Sequence, residues 1–108
     1  MATYMYQGAY TPQAWASMAK NPQDRIAAVT PVVESVGGKM LGGWFSFGEY
    51  DVVAIFECPD NISSAAFAVA VAAGGAISSG KTTPLLSPAE AVQVMTKAGE
   101  LRYAPPSA

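Results

Sequence analysis

The chain has 108 residues with a formal net charge of −2; 51% of its residues are hydrophobic and only 13% are charged. An ordinary soluble domain carries about 25% charged residues. This length allows one domain, and the composition excludes a disordered chain and a basic nucleic-acid-binding surface. With no histidine and one cysteine, the chain can form neither an intrachain disulfide nor a histidine-activated nucleophile.

The first element is predicted to be a strand over residues 3–10, where alternation places Tyr4, Tyr6 and Tyr10 on one face. Three dipeptides then place a capping residue before proline, which is typical of a helix start. Helices are therefore predicted to begin near residues 12, 22 and 88. The second carries an apolar stripe interrupted by Pro31, so we expect either a kink there or a late start.

The second half of the chain alternates strands with helices. Gly42-Gly43 favours a bulge in the second strand, and Pro84 favours an edge position for the fourth. The predicted elements are strands over residues 39–47, 51–57 and 80–86 and helices over residues 61–73 and 88–97. The order is β-α-β-β-α-β plus a terminal helix, which indicates an α+β, ferredoxin-like domain with a four-stranded antiparallel sheet. We assign residues 1–100 to this domain and residues 101–108 to a loose tail.

The charge-free stretch over residues 61–80 is rich in alanine and serine and is interrupted by Gly74-Gly75. Spanning helices need about 20 strongly apolar residues, so this stretch is predicted to be a soluble helix and a turn. The N-terminus lacks the basic and apolar regions of a signal peptide. We therefore expect a cytoplasmic protein with no membrane partner.

The third strand is apolar on both of its faces. Val53 and Ile55 share one face, while Val52, Ala54 and Phe56 share the other. In a ferredoxin-like monomer the helices cover only one face of the sheet, so another surface must cover the second. We expect a homodimer or a higher homo-oligomer, with sheet face against sheet face; the alternative is that the terminal helix covers this face within one chain.

An ordered set of short motifs resembles the GYD domain family of small bacterial proteins. The set covers about residues 4–97 and comprises Tyr10-Thr11, Asn21-Pro22 with Arg25, Gly37-Gly38-Lys39, Gly48-Glu49-Tyr50-Asp51 ahead of an apolar strand, Pro59-Asp60, and Gly80-Lys81-Thr82-Thr83. The resemblance implies a ferredoxin-like fold that pairs as a dimeric α+β barrel. It implies no activity, although related barrels include cofactor-free monooxygenases and isomerase-like proteins.

Glu49 and Asp51 are the candidate catalytic residues. Two carboxylates and the phenol of Tyr50 near the mouth of a barrel could bind or protonate a small ligand if burial raised a carboxyl pKa. The alternative is structural: Gly48 adopts a positive φ, Tyr50 packs, and Asp51 accepts backbone N–H bonds that fix the turn.

The candidate ligand-binding residues line an apolar pocket between sheet and helices in one interpretation, and form core or dimer contacts in the other. Tyr6 and Trp44 are the foremost candidates. Arg25 could pair with a carboxylate of the turn or of a ligand, or lie on a solvated helix face. The full set is Tyr6, Tyr10, Trp15, Arg25, Trp44 and Tyr50.

Three functions fit these observations. The first is a homo-oligomer that binds a small metabolite in an aromatic-lined pocket. The second is a cofactor-independent isomerase or monooxygenase-like enzyme with Glu49 or Asp51 as base, and the third is structural self-assembly. We predict no cofactor, no metal and no nucleic-acid partner.

Overall fold

A computed structural model describes residues 1–107 of the chain. The four strands form one antiparallel sheet in the order β2-β3-β1-β4. This order confirms the α+β, ferredoxin-like prediction and the edge position of the strand that contains Pro84. The elements are β1 (Ala2–Tyr10), α1 (Pro12–Lys20), α2 (Arg25–Ser35), β2 (Lys39–Phe45), β3 (Val52–Cys58), α3 (Asn61–Ala73), β4 (Ile77–Leu85) and α4 (Pro88–Glu100).

Two of the three predicted helix starts are confirmed by their caps. Thr11 Oγ1 accepts a hydrogen bond from the Ala14 N–H at 3.1 Å, and α1 begins at the next residue, Pro12. Before α4, Ser87 Oγ accepts from the Glu90 N–H at 3.1 Å while Glu90 Oε1 accepts from the Ser87 N–H at 2.9 Å. This reciprocal capping box satisfies backbone donors that the first helical turn leaves unpaired.

The predicted helix start near residue 22 is wrong. Asn21 ends α1 instead, since its backbone N–H donates to the Ser17 carbonyl at 2.9 Å. The cap of α2 is Asp24, whose Oδ1 accepts from the Ala27 N–H at 3.0 Å. The helix α2 therefore begins at Arg25, after the predicted start, and Pro31 remains inside it.

A bulge in β2 decides which face its later side chains occupy. The register against β3 shifts between Met40, opposite Phe56, and Gly42, opposite Ile55. One extra residue reverses the in–out alternation beyond it. Trp44, opposite Val53, therefore lies on the sheet face away from the core and is 58% exposed.

The hydrophobic core lies between the sheet and the pair of helices α2 and α3. The Phe67 ring of α3 packs 5.1 Å from the Phe56 ring and 5.7 Å from the Tyr6 ring, measured between centroids. The buried members of the core are Tyr4, Tyr6, Val33, Ala54, Phe56, Cys58 and Phe67. Burying a large apolar side chain stabilises a fold by about 1.5–3 kcal/mol, so this cluster holds the helices to one face of the sheet.

The rest of the chain is far more exposed. Val53 and Ile55, on the opposite sheet face, are only half-buried, and every residue of α4 except Ala91 is exposed. The Cα radius of gyration is 17.4 Å, against about 13 Å for a compact domain of this length. No helix within residues 1–107 is long and apolar enough to cross a membrane.

Replacing Gly38 with alanine should lower the free energy of unfolding by about 1–3 kcal/mol. A Cβ at this position would lie 2.5 Å from the Glu57 carbonyl oxygen and 3.0 Å from the Val33 carbonyl oxygen. Both are backbone atoms, so relief requires the start of β2 to move. Urea unfolding followed by circular dichroism measures the loss.

Gly48→Ala is the matched control for Gly38→Ala. A Cβ at Gly48 would meet no heavy atom within 4 Å, and the φ of Gly48 is not positive. Its unfolding free energy should stay within about 0.5 kcal/mol of wild type. Equal effects of the two substitutions would contradict the close approach at Gly38.

Candidate functional site

A cavity of about 260 Å³ lies between the sheet and the helices α2 and α3. Its walls are mainly hydrocarbon because both helices and the central strands turn apolar side chains toward it. The lining residues are Tyr6, Tyr10, Arg25, Ile26, Ala28, Val29, Val32, Val52, Ala54, Phe67, Ala70, Val71, Gly74, Ala76 and Ile77. Only the two phenols and the guanidinium contribute polar side-chain groups.

The Tyr6 ring occupies space that two glycines leave open. Gly8 and Gly80 face each other across β1 and β4. A Cβ at Gly80 would lie 2.7 Å from the Tyr6 hydroxyl oxygen, and one at Gly8 would lie 3.1 Å from the ring. A second cavity of about 210 Å³, toward Ala72 and β4, is also lined by Tyr6. The Tyr6 side chain therefore lines both cavities.

Tyr10 and Arg25 bring polar groups to the end of the larger cavity where β1 ends and α2 begins. Both are half-buried, whereas Tyr6 and Phe67 are buried. The Tyr10 ring packs edge-on against Trp15, with centroids 5.3 Å apart, and this contact holds the ring at the end of β1. Arg25 is the first residue of α2, and its Nη1 donates to Gln23 Oε1 at 2.9 Å.

Both phenols of the cavity favour their neutral form. Burial raises the pKa of Tyr6, and the nearby Tyr10 raises it further. Burial also raises the pKa of Tyr10; the charge of Arg25 and a hydrogen bond to it act in the opposite direction, and the charge of Asp51 adds to the rise. At neutral pH each hydroxyl therefore keeps its proton and can donate a hydrogen bond.

The Gly48–Asp51 turn is fastened to the end of β1 through backbone atoms. Asp51 Oδ2 accepts from the Tyr10 N–H at 2.9 Å, and the Asp51 N–H donates to the Gly8 carbonyl at 2.8 Å. The Ser46 hydroxyl donates to the Tyr50 carbonyl at 2.6 Å. Asp51 thus accepts the backbone bond that the structural interpretation of this turn requires.

The structure corrects one detail of this turn and places the candidate catalytic residues. Positive φ occurs at Gly37 and Gly75 among the described residues, so Gly48 does not adopt it. Glu49 is exposed, and neither its carboxylate nor that of Asp51 lines either cavity.

Of the candidate ligand-binding residues, the structure brings together Tyr6, Tyr10 and Arg25 at the larger cavity. Trp15 packs against Tyr10 and is itself 41% exposed outside the lining. Trp44 lies on the opposite sheet face, because the bulge in β2 reverses its direction. Tyr50 is half-buried in the turn.

Residues of α3 complete a wall of the cavity that the sequence analysis did not assign. Phe67 and Val71 supply bulk, while Ala70 and Gly74 are too small to fill the space. The alanine-rich composition of residues 61–73 carries the signal, although by itself it predicts only a helix. Small residues facing a sheet leave a void when no larger side chain crosses from the other side.

Residues 1–107 contain neither a metal-binding cluster nor a cysteine with a lowered pKa. Within residues 1–107 no group of three or more histidine, cysteine, aspartate or glutamate residues could hold a metal ion. The Cys58 thiol is buried in the core, where burial raises its pKa and the charge of Asp60 adds to the rise. A thiol that keeps its proton is a weak nucleophile.

The GYD domain family model matches residues 4–95, which contain most of β1, all of β2, β3 and β4, and the helices α1, α2 and α3. No curated protein matches the chain. Because the family match spans most of the 108 residues, the chain belongs to the GYD domain family.

Raising the pH through the tyrosine range should destabilise the folded protein, because ionised Tyr6 would place a charge among hydrocarbon side chains. Burial holds the pKa of Tyr6 above its ordinary value of 10.0. The folded state therefore binds this proton more tightly than the unfolded chain. The stabilisation is complete below about pH 10 and is lost as pH rises through the folded-state pKa. Urea unfolding across this range should show a smaller loss in Tyr6→Phe than in wild type.

Tyr103→Phe is the control for that experiment, since Tyr103 is 76% exposed in the C-terminal segment. This variant should keep the pH dependence of wild type. If Tyr6→Phe shows the same pH dependence of stability as wild type, the Tyr6 hydroxyl does not contribute to that dependence.

Proposed function

We propose that this GYD-domain protein is a homo-oligomer that binds a small molecule in the cavity between the sheet and the helices α2 and α3. One observation carries the proposal: an apolar cavity of about 260 Å³ with Tyr6, Tyr10 and Arg25 as its polar groups. Neither carboxylate of the Gly48–Asp51 turn lines it, so the proposal assigns binding rather than acid–base catalysis.

The size and chemistry of the cavity support ligand binding. Protein interiors are packed so closely that few voids exceed one water molecule. Pockets for small ligands measure about 300–1,000 Å³ and combine apolar walls with a few oriented polar groups. A cavity of about 260 Å³ lies just below this range, which favours a ligand of few heavy atoms.

The outer face of the sheet supports self-association. We use this name for the face opposite α2 and α3, which carries Met5, Val53, Ile55 and Trp44. Each is half-buried or exposed, although all four are apolar. A second copy that presents the same face would bury this surface on both chains by two-fold symmetry.

The accessible surface is large enough for such an interface. One chain exposes 7315 Å², whereas a folded monomer of this mass exposes about 5,700 Å². This difference is larger than the area that each partner buries in a standard interface, which is about 800 Å². The helix α4 adds to it, since Val92, Val94 and Met95 are all more than half exposed. We assign a second copy as the occupant, because it would present the same apolar residues to the outer face of the sheet.

Wild-type protein should run in size-exclusion chromatography with light scattering at twice the 11.2 kDa chain mass or more. Ile55→Glu should shift it toward the monomer, because an unpaired carboxylate at a desolvated interface is costly. Ala65→Glu adds the same charge to an exposed position on α3 and should leave the mass unchanged.

Circular dichroism separates dissociation of Ile55→Glu from loss of its fold. A monodisperse monomer of the wild-type protein would overturn the assembly part of the proposal. An oligomer that survives Ile55→Glu while folded would show that a surface other than the outer face of the sheet forms the contact.

Indole, as a small neutral probe, should perturb the NMR signals of the cavity residues in wild-type protein. Ala70→Leu should weaken this binding several-fold, because Ala70 lines the cavity and the added carbons occupy it. Ala65→Leu makes the same change on the same helix at an exposed position outside the lining, and should bind as wild type does.

Equal binding of indole by both leucine variants would place the probe elsewhere and remove the cavity from the proposal. An oligomer that binds no small aromatic probe would instead favour structural self-assembly as the role of the protein.

A further inference from the structure

The polar side chains of the cavity are all able to donate hydrogen bonds. The hydroxyls of Tyr6 and Tyr10 keep their protons at neutral pH, and the Arg25 guanidinium carries donors only. Every other lining residue described by the structure presents hydrocarbon or is glycine. No carboxylate and no side-chain amide lies among them, so the cavity is matched to a ligand whose polar end accepts hydrogen bonds.

This donor set excludes two ligand classes. A cationic ligand would meet a guanidinium and no compensating carboxylate in the cavity wall. A sugar or other polyol would bury several hydroxyls among aliphatic side chains, and each unpaired one costs about 1–3 kcal/mol. What remains is a mostly hydrocarbon molecule with one acceptor group.

Arg25 is the lining group best suited to hold that acceptor. Arg25 and Tyr10 are half-buried where α2 begins and β1 ends, while Phe67 is buried. One Nη of Arg25 donates to Gln23, an exposed residue, and a guanidinium has five N–H donors in total. A carboxylate meets such a planar group with two parallel hydrogen bonds, which a ketone or amide oxygen cannot do.

Two carboxylates of the chain lie near this end, and both hydrogen-bond to backbone N–H groups. Asp24 Oδ1 accepts from Ala27 as the cap of α2, and Asp51 Oδ2 accepts from Tyr10. Their charges partly offset that of Arg25, so the long-range field does not select an anion. Selection must come from direct hydrogen bonds at the guanidinium.

We propose that the cavity binds a small monocarboxylate with a hydrocarbon body, its carboxylate on Arg25 and Tyr10 and its body against Phe67 and Val29. This rests on the proposed function of the same cavity and names the ligand class. The Tyr6 hydroxyl is the remaining side-chain donor for a ligand that carries a second oxygen.

Benzoate and benzamide test the ligand class, because they match in shape and differ in charge. NMR titration of the full-length protein at neutral pH should show benzoate binding about tenfold or more tightly than benzamide, since hydrogen bonds to charged groups are the stronger ones. Arg25→Gln should remove most of this preference. Arg25→Lys, which keeps the charge and loses the planar fork, should retain only part of it.

Arg102→Gln is the matched control, since it removes the same side chain from an exposed position in the C-terminal segment and should leave the preference intact. Equal affinity of wild type for benzoate and benzamide would overturn the carboxylate inference and leave the proposed cavity function standing. Binding of neither probe, nor of indole, would overturn both. A preference that survives Arg25→Gln in a folded variant would place the anion on another group.

Discussion

Apolar side chains on both faces at the centre of the β1–β3 pair are the constraint from which the rest of the structure follows. Tyr6 faces Ala54 on the side of the helices, and on the other side Met5 faces Ile55. A sheet of this kind needs cover on both faces, and within residues 1–107 the helices that form the core with it, α2 and α3, lie on the same face. The covered side becomes the core and the cavity. The other side remains an apolar surface in a chain whose low charge content gives it little to keep such a surface solvated.

The cavity exists because the covered side combines one large ring with several small residues. Gly8 and Gly80 remove two side chains from the sheet where Tyr6 lies, and Ala70 and Gly74 keep α3 narrow opposite it. Larger residues at these positions would fill the space, and a side chain at Gly8 or Gly80 would collide with the Tyr6 ring or hydroxyl. The close packing of the core is therefore interrupted by a cavity that Tyr6 and Tyr10 help to line. An interruption of this size in so small a core is where a ligand can be held.

Local signals predicted the fold well, and failed where two signals competed for one residue. Thr11 and Ser87 each lie at one helix end only, and both cap it. Asn21 has a side chain equally suited to capping, but it already ends α1, and Asp24 caps α2 instead. Trp44 was placed on the wrong face for a different reason. Alternation along a strand predicts the face of each side chain only if the strand has no bulge, and the bulge in β2 reverses the face of Trp44. The sequence offered a pocket between sheet and helices as one of two interpretations and could not decide between them, because a void is a property of facing surfaces rather than of any segment.

The Gly48–Asp51 turn connects the family motif to the cavity without entering it. A carboxylate next to a tyrosine is equally typical of acid–base chemistry and of a tight turn, and the sequence does not show which atoms it will contact. In the structure the Asp51 carboxylate accepts a hydrogen bond from the Tyr10 N–H, and the Asp51 N–H donates one to the Gly8 carbonyl. These bonds fix the last residues of β1, which include the cavity-lining Tyr10. Asp51 therefore positions Tyr10 through its backbone N–H and does not itself line the cavity.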